Sequence, residues 1–350
     1  MGLTDKSYIE TGNQAWSPNF YISVGNTDIT EKIRKGLISI SLTDYGGSSK
    51  QTDEIRVAIV SDTLQIPARG VQVALGLGFG SNIVDKGLFI VDGASSGGEP
   101  RVVEFTAKAA PMNAAKGSAT VQSKKTRSWS GHTVGDIVAK IAGDNGLSPR
   151  VSTRFADRVI EHIDQVGESD MNLLSRLATR LDAVSKISGG YWIFLPRGAG
   201  ESVSGKPLQQ YTLTRSGSSS WGYSRNGKSG DSGGGESAGP TYVVKYHDTG
   251  TGEIKELRTG SGGEPVIEWP VTEPSLDAAK EATTGMQGGS EKKECSFTHT
   301  SPATPDLVAL TAECNVTTSG FGSVEDRDWT INSLNMTLAE NGFSIRMSLE

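Results

Sequence analysis

Alternating apolar and polar residues form short runs over the first third of the chain. Each run has a period of two, which is typical of a half-buried strand, and turn residues such as 44–47 and Gly93 to Gly98 separate the runs. Several short strands at close spacing predict an antiparallel barrel or sandwich that ends near Ala110. The apolar members are Phe20 and Ile22, Ile38, Ile40 and Leu42, Ile55, Val57 and Ile59, Val71, Val73, Leu75, Leu77 and Phe79, Phe89 and Val91, and Val103, Phe105 and Ala107.

Apolar residues three and four positions apart replace this pattern in the middle of the chain and predict two helices. The first opens at Thr133, and Asp136 completes a capping box in which Asp takes the place of the usual Glu. The second opens after Ser169, whose hydroxyl is a good acceptor for an orphan N–H of the first turn. Asp170 then places negative charge at the positive end of the helix dipole.

A buried strand follows the second helix. The glycine pair 189–190 predicts a turn, and Tyr191 to Leu195 is an apolar run that Pro196 ends. Together with the two helices it predicts a small α/β module from about Arg127 to Arg197.

Beyond this module the pattern is mixed. Tyr211 to Arg215 is typical of a strand, and Tyr242 to Tyr246 with Glu253 to Leu257 flank the turn sequence Asp-Thr-Gly-Thr-Gly and predict a hairpin. Ser275 to Thr284 predicts a short, alanine-rich helix.

The last part of the chain returns to the strand pattern. Leu307 to Cys314 is predicted as a strand, and a slip in the alternation near Ser333 indicates a β-bulge. Asn341-Gly342 is the strongest hairpin turn in the chain. The order of elements resembles that of the first β region, with Leu307 to Cys314 in the place of Val71 to Phe79, and this weak internal repeat suggests two similar barrels.

Composition narrows the class of protein. The chain has 350 residues, enough for two or three domains, and its formal net charge of −6 argues against a general nucleic-acid binder. No apolar run approaches the length of a membrane span, and the N-terminus lacks the pattern of a signal peptide. We therefore expect a protein made in a cytoplasm and not embedded in a membrane. Cys295 and Cys314 have neither metal-site spacing nor a disulfide framework and are expected to be half-buried strand residues.

Two sequence motifs resemble the motifs of known functional sites. Residues 230–234, Gly-Asp-Ser-Gly-Gly, match the active-site motif of chymotrypsin-like proteases, with Ser232 as nucleophile and His132 upstream. The motif lies in the glycine- and serine-rich run Gly227 to Gly239, which predicts a flexible linker instead. Gly76, Gly78 and Gly80 lack the spacing and the following helix of a dinucleotide site, so they indicate close packing in a strand.

One cluster contains possible metal ligands, namely His162, Asp164, Glu168 and Asp170. Zinc sites use more His and Cys, and calcium loops space their carboxylates more tightly. A solvated helix start is therefore the favoured interpretation. No catalytic, cofactor-binding or metal-binding residue is predicted, and no enzymatic activity.

Residues 161–197 contain the sequences HIDQ at 162–165, ESDMNLLSRLA at 168–178 and LPRG at 195–198. With these sequences the stretch resembles the late control D family, the baseplate hub proteins of contractile phage tails, which are related to the hub part of VgrG spikes of type VI secretion. Further similar stretches are 37–44, 66–70, 86–92, 138–147, 305–307, 329–331 and 343–350.

The resemblance implies a mainly β fold with an α+β middle module, in which two similar antiparallel barrels flank and interleave with a small α/β domain. It also implies a second barrel assembled from separate segments. The resulting domains are 1–110 for the first barrel, 111–204 with 240–293 for the middle domain, 205–226 with 294–350 for the second barrel, and 227–239 for a flexible loop.

The function implied is that of a trimeric ring, pseudo-sixfold toward the tail tube and threefold toward the central spike. The expected partners are two further copies of the chain, a trimeric tail spike protein, tail tube or tube-initiator proteins, baseplate wedge proteins and the tape measure protein. The expected location is the tail baseplate of a virion assembled in the host cytoplasm. The alternatives are the hub of a tailocin or another contractile injection system, and a tail-tip cell-wall hydrolase, which would need an acid/base pair.

Overall fold

The computed structural model describes residues 9–11, 14–25, 27–47, 51–109, 121, 123–198, 200–202, 206–225, 240–292 and 295–350. The run Gly227 to Gly239, with Ser232, lies outside these ranges, so the predictions of a flexible loop and against a nucleophile there stay untested. The predicted domain boundaries all fall in or beside segments outside the described ranges, and the domain division likewise stays a prediction.

Six strands between residues 18 and 108 form what we call the first β unit. They are β3 (Pro18–Val24), β5 (Leu37–Tyr45), β6 (Glu54–Val60), β7 (Gln72–Phe79), β8 (Asn82–Gly97) and β9 (Val102–Lys108), accompanied by β1 (Ile9–Thr11), β2 (Gln14–Trp16), β4 (Thr27–Asp28) and helix α1 (Thr30–Arg34). Their order in the sheet is β5-β6-β9-β8-β7-β3, with every neighbouring pair antiparallel.

The alternation in these strands buries one face of the sheet. Ile40, Val57 and Phe105 on three adjacent strands are all at most 2% exposed. Helix α1 has five residues, too few to cover six strands, so most of the apolar face packs within the core that the strands themselves form. This is the barrel-like arrangement that the alternating pattern predicts.

The second β unit is assembled from residues 211–225 and 295–350. Its strands are β15 (Tyr211–Thr214), β16 (Ser220–Arg225), β20 (Cys295–Pro302), β21 (Asn315–Ser319), β22 (Asp328–Ala339) and β23 (Gly342–Leu349), with helix α6 (Pro305–Ala309). The order is β16-β20-β23-β22-β21-β15, which repeats the order of the first unit strand for strand. The pairs are antiparallel except β15–β21, which is parallel.

The two units form one continuous sheet because β22 pairs with β5. The register runs from Ser333 opposite Tyr45 to Ala339 opposite Ser39. The cores of the two units also merge into a single cluster that includes Phe20, Phe105 and Phe297. The fold is therefore mainly β, with two similar antiparallel units, as predicted.

The middle module occupies residues 124–196. Its elements are β10 (Lys124–Thr133), α2 (Val134–Asp144), β11 (Ser148–Val151), α3 (Thr153–Ala156), β12 (Val159–Ser169), α4 (Asp170–Arg180), β13 (Ala183–Ser188) and β14 (Tyr191–Pro196). Strands β10 and β12 form a ribbon, and β14 pairs in parallel with β11 and antiparallel with β13. Both predicted caps are confirmed. The N–H of Asp136 donates to the Thr133 hydroxyl over 3.0 Å, and that of Asn172 donates to the Ser169 hydroxyl over 3.2 Å.

Residues 240–292 return to this module as a hairpin, a third strand and a long helix, here called the hairpin-helix segment. It comprises β17 (Pro240–Asp248), β18 (Glu253–Gly260), β19 (Gly263–Glu268) and α5 (Leu276–Lys292). Helix α5 crosses α4 so closely that a Cβ on Gly285 would lie 1.9 Å from the Thr179 carbonyl oxygen. The segment therefore belongs with the middle module in its packing.

Several local predictions differ from the structure. Leu307 to Cys314 is not a strand, since Thr304 caps helix α6, Pro305 opens its first turn, and Glu313 has a positive φ of 72°. In the internal repeat its place is taken by β21. The polar stretch before Ser169 is strand β12, and helix α5 is longer than predicted, ending at Lys292 rather than Thr284.

Candidate functional site

A cluster of charged side chains lies where the two β units and the middle module meet, and we call this place the three-way junction. Lys186 on β13 of the middle module reaches Asp44 at the end of β5 and lies 3.0 Å from the Asp53 carboxylate. Asp53 is 5% exposed. A cation and two carboxylates are thus removed from water together, a costly arrangement that persists only with good mutual geometry.

The second β unit reaches the same point through the backbone after helix α6. The N–H of Ala312 donates to the second oxygen of Asp44 over 2.9 Å. The carboxylate of Glu313 accepts from the Gly47 N–H over 2.7 Å. One side chain, Asp44, therefore contacts the middle module and the second β unit at once.

A β-bulge in β22 explains why the junction falls here. The register of β22 with β23 shifts between Ile331 and Ser333. Before the bulge, β22 pairs with β21 of its own unit, and after it the same edge pairs with β5 of the first unit. The Asn332 carbonyl between them accepts from the Gly46 N–H over 2.7 Å. The bulge, predicted from the slip in alternation, is the point at which the strand changes its partner.

Two glycines bring the three parts close together. A Cβ on Gly47 would lie 2.1 Å from Cγ1 of Val184 on β13, and one on Gly46 would lie 2.8 Å from the Asn332 carbonyl oxygen. Such distances are far below van der Waals contact, so only glycine permits this approach of backbone to side chain. The sequence Asp-Tyr-Gly-Gly, predicted as a simple turn, is thus a docking point for the middle module.

The electrostatics of the junction follow from burial. Loss of hydration raises the pKa of Asp53 to about 7, with Lys186 opposing and Asp44 reinforcing the shift. Burial also disfavours the Lys186 ammonium, but Asp44 and Asp53 hold the pKa of Lys186 above its usual range. The lysine therefore stays cationic and the trio is neutral when one carboxyl holds a proton.

A second, partly buried cation lies at the contact between the two β units. The Lys86 ammonium on β8 donates to the Val308 carbonyl at the C-terminal end of helix α6. Burial lowers the pKa of Lys86 to about 8. Because a helix C-terminus carries partial negative charge, this is a favourable place for the cation.

The hairpin-helix segment is held to the middle module by a comparable ion pair. Arg180 on α4 lies 3.0 Å from the Glu273 carboxylate, and both residues are at most 5% exposed. The Trp269 indole donates to Glu273 over 2.7 Å. Burial raises the pKa of Glu273, although Arg180 opposes that shift.

The candidate metal ligands do not converge. The carboxylate of Asp170 faces inward to Lys125, Asn145 and Gln165, while Glu168 pairs with Arg176 over 2.8 Å. His162 pairs with Asp164 over 3.1 Å on the exposed side of the ribbon. In the part of the chain that the structure describes, no group of three or more His, Cys, Asp or Glu is placed to hold a metal.

The two cysteines and the glycines of β7 also occupy packed positions in the structure. Cys295 in β20 and Cys314 before β21 are both buried free thiols. A Cβ on Gly78 in β7 would lie 1.9 Å from the Asn82 carbonyl oxygen, in line with the predicted close packing. None of the helices within the described ranges has both the length and the apolar character needed to cross a bilayer.

Sequence inspection did not identify the junction. Asp44 and Lys186 are 142 positions apart, and each is a single charged residue near the end of a strand. The available signal was the pair Gly46-Gly47, which begins two positions after Asp44 and marks a strand end that another part of the chain approaches closely.

A repeated β unit joined edge to edge and fixed to an α/β module is an arrangement that this chain shares with solved tail proteins. The model of the phage tail baseplate hub (GPD) family matches residues 115–342. The chain belongs to this family.

Two relatives from Escherichia phages 186 and P2, each named "Probable baseplate hub protein", are both 34% identical to this chain. The alignments extend over 200 and 201 residues, which is 57% of this chain. They span only about half of those relatives, 50% and 51%.

Solved structures show the fold over nearly the whole chain. The 43 kDa tail protein of prophage MuSo2 from Shewanella oneidensis has a TM-score of 0.66 at 12% identity and covers 95% of this chain and 98% of its own. A tail protein from Neisseria meningitidis has the same TM-score at 13% identity, covering 95% and 96%. A component of the type VI secretion system from E. coli has a TM-score of 0.54 at 10% identity, covering 94% and 76%.

Proposed function

We propose that this protein is the baseplate hub of a contractile phage tail. In this role it forms a trimeric ring that adapts the sixfold tail tube to the threefold central spike. The chain then acts by shape and position, and we propose no catalytic role for it. Family membership and the names of the two phage relatives support the hub assignment.

The observation that carries the proposal is the repeated strand order within one chain. The first unit has the order β5-β6-β9-β8-β7-β3 and the second β16-β20-β23-β22-β21-β15, and β22 joins them edge to edge. Three chains would present six similar units on one side, which matches a sixfold partner. The middle module occurs once per chain, so the same ring would be threefold where that module lies.

The rigid joint between the units supports the same proposal. An adaptor transmits symmetry only if its two units keep a fixed angle. The shared core, the continuous sheet and the Lys186–Asp44 ion pair hold the units and the middle module in one arrangement. A continuous sheet and a shared core at this joint are expected of a ring component rather than of a tethered binding module.

The partners we propose are two further copies of the chain, a trimeric spike protein, tail tube or tube-initiator proteins, baseplate wedge proteins and the tape measure protein. The location proposed is the tail baseplate of the virion, after assembly in the host cytoplasm. We propose no sequence-specific binding of nucleic acid, since the net charge of −6 does not favour phosphate contacts. The equivalent hub of a tailocin or another contractile injector is a second candidate, favoured by the shared fold with the type VI component.

Light scattering on the purified chain, alone and with the spike protein encoded beside it, tests the proposal. The expected result is a trimer, or a complex of three chains with three spike chains. A monomer under both conditions would contradict it. Electron microscopy of the trimer then tests the symmetry, with six similar densities expected around one rim and three around the other.

A further inference from the structure

The two β units have the same strand order and differ in direction only at β15, which is parallel to β21 where β3 is antiparallel to β7. Only one of the two possible joints between such units is formed within a chain. Strand β22 of the second unit pairs with β5 of the first. The reverse joint would pair the counterpart of β22, which is β8, with the counterpart of β5, which is β16. Within one chain β16 ends the sheet on one side and β8 lies seven strands away from it, so the two do not pair with each other.

The strand registers extend this correspondence to single residues along β8 and β22. Strand β8 pairs with β9 across a shift between Val91 and Gly93, as β22 pairs with β23 across a shift between Ile331 and Ser333. Val91 lies opposite Ala107 and Ile331 opposite Leu349, both buried. Gly93 of β8 therefore corresponds to Ser333 of β22, and the five residues 93–97 correspond to 333–337.

The same chain of pairings matches β5 to β16. Gly93 pairs with Thr106, which pairs with Arg56, which pairs with Ser41 of β5. Ser333 pairs with Ser348, which pairs with Thr298, which pairs with Gly222 of β16. Ser41 thus corresponds to Gly222, and Thr43 to Ser224.

Both strands of the missing joint present an open edge. Beyond Asp92, no strand among the described residues occupies the edge of β8 opposite to β9, and Gly93 to Gly97 are all exposed. Strand β16 pairs with β20 along one edge, and no described strand covers its other edge. In the joint within the chain, the corresponding edges of β22 and β5 are both filled. An open edge is a template for another strand.

We propose that the segment Ser95–Gly97 of one chain pairs antiparallel with Gly222–Ser224 of a second copy. The register follows from the joint within the chain, where Asn335 lies opposite Thr43 and Thr337 opposite Ser41. It places Ser95 opposite Ser224 and Gly97 opposite Gly222. This contact joins different surfaces of the two copies, and repeating it generates a ring in which every sheet edge of this kind is paired. That the ring closes at three chains rests on the proposed function.

Engineered disulfides test the register. We expect the double variant Ser95→Cys/Ser224→Cys, oxidised as the assembled full-length protein, to form dimers and closed three-chain species on a non-reducing gel. The pair Gly97→Cys/Gly222→Cys is in register on the same face and should cross-link as well. The native Cys295 and Cys314 are buried, and the wild-type protein shows how much cross-linking these two cysteines give on their own. As a positive control, Thr43→Cys/Asn335→Cys should close a disulfide within one chain.

The matched negative control is Ser96→Cys/Ser224→Cys. Successive residues of a strand point to opposite faces, so this pair shares one position with the first variant but should give at least tenfold less cross-linking. A protein that is trimeric by light scattering, yet cross-links in none of the in-register pairs, would overturn this inference and leave the hub function intact. A chain that never associates would overturn both.

Discussion

Lys186 and Asp44, which are 142 positions apart, form a buried ion pair that ties the middle module to the end of β5. Asp44 also accepts a hydrogen bond from the backbone of Ala312, which belongs to the second β unit. Three separate parts of the chain thus depend on one aspartate and one lysine. Since removing one partner of a buried pair leaves an uncompensated charge, this contact should be among the most sensitive in the molecule.

Replacing Lys186 with Met should lower the free energy of unfolding by about 3 kcal/mol, because Asp44 and Asp53 would lose their shared cation. The measurement is urea unfolding at pH 7. The control is Lys140→Met, which removes a lysine that is 63% exposed and pairs with Asp144 on the surface of α2. The Lys140→Met change should lower the free energy of unfolding by less than about 1 kcal/mol. Equal losses for the two variants would show that the buried ion pair stabilises the protein no more than the surface ion pair does.

Replacing Gly47 with Ala should also loosen the junction. The added Cβ would lie 2.1 Å from Cγ1 and 2.6 Å from Cβ of Val184, and the backbone must move to relieve the contact. We expect a loss of about 2 kcal/mol, as for other overpacked sites. Differential scanning calorimetry measures the shift in the melting temperature.

The matched change for this experiment is Gly143→Ala. Gly143 is an exposed residue of helix α2, and a Cβ there would meet nothing within 4 Å. Alanine should therefore raise the stability by about 0.5–1 kcal/mol. An increase for Gly47→Ala as well would mean that the close approach to Val184 is not required.

Elements with strong local signals could be predicted from the sequence. The caps at Thr133 and Ser169 and the hairpin between β22 and β23 each depend on residues within a few positions, and all three form. The hairpin turn lies one position earlier than predicted, at Glu340 and Asn341, because Gly342 pairs with Ala339. The alternating runs likewise predicted the strands of the first β unit. Local physics was sufficient because these features depend on few distant contacts.

Other elements could not be predicted because distant contacts decide them. The composition of Gly93 to Gly97 predicts a turn. In the structure these residues continue β8, because β9 pairs along their edge. Leu307 to Cys314 differed for a local reason instead: its apolar residues have strand-like spacing, but the cap at Thr304 and the proline at 305 begin helix α6. The junction required the pairing of β22 with β5, which no local pattern encodes.

Replacing Asp170 with Asn tests the environment of the former metal candidate. Its carboxylate is fully buried, and Lys125, Asn145 and Gln165 contact it, while the hydrogen bonds outweigh burial and lower its pKa. The variant should lose about 2 kcal/mol because hydrogen bonds to a charged group are lost. Asp277→Asn, at a position 84% exposed, should change the stability by less than about 0.5 kcal/mol.

The wild type and the Asp170→Asn variant together provide a direct test of metal binding. Because protein donors occupy the oxygens of Asp170, a chelator and added Zn²⁺ or Ca²⁺ should each leave the melting temperature of the wild type unchanged. A rise with either ion that disappears in Asp170→Asn would instead indicate a metal site.

His299 should make the stability depend on pH. It is 2% exposed on β20, beside Phe321, and neither ring nitrogen has a hydrogen-bond partner within the described residues. Burial lowers the pKa of His299 to about 4. The unfolded chain, with a pKa near 6.5, therefore binds this proton more readily than the folded chain. The contribution of His299 to the stability should be constant above pH 7, fall as the pH drops below about 6.5, and level off below about 4.

The total loss from this residue should approach about 3 kcal/mol, since each pKa unit corresponds to about 1.4 kcal/mol. Replacing His299 with Phe should remove that part of the slope and raise the stability at pH 5, because phenylalanine brings no proton and no unpaired nitrogen into the core. Urea unfolding at pH 8, 7, 6, 5 and 4 measures the difference between variant and wild type, which cancels the titration of other groups. The exposed His247→Gln should keep the wild-type slope. A His299→Phe protein with the same slope would show that the buried imidazole is not the group that titrates.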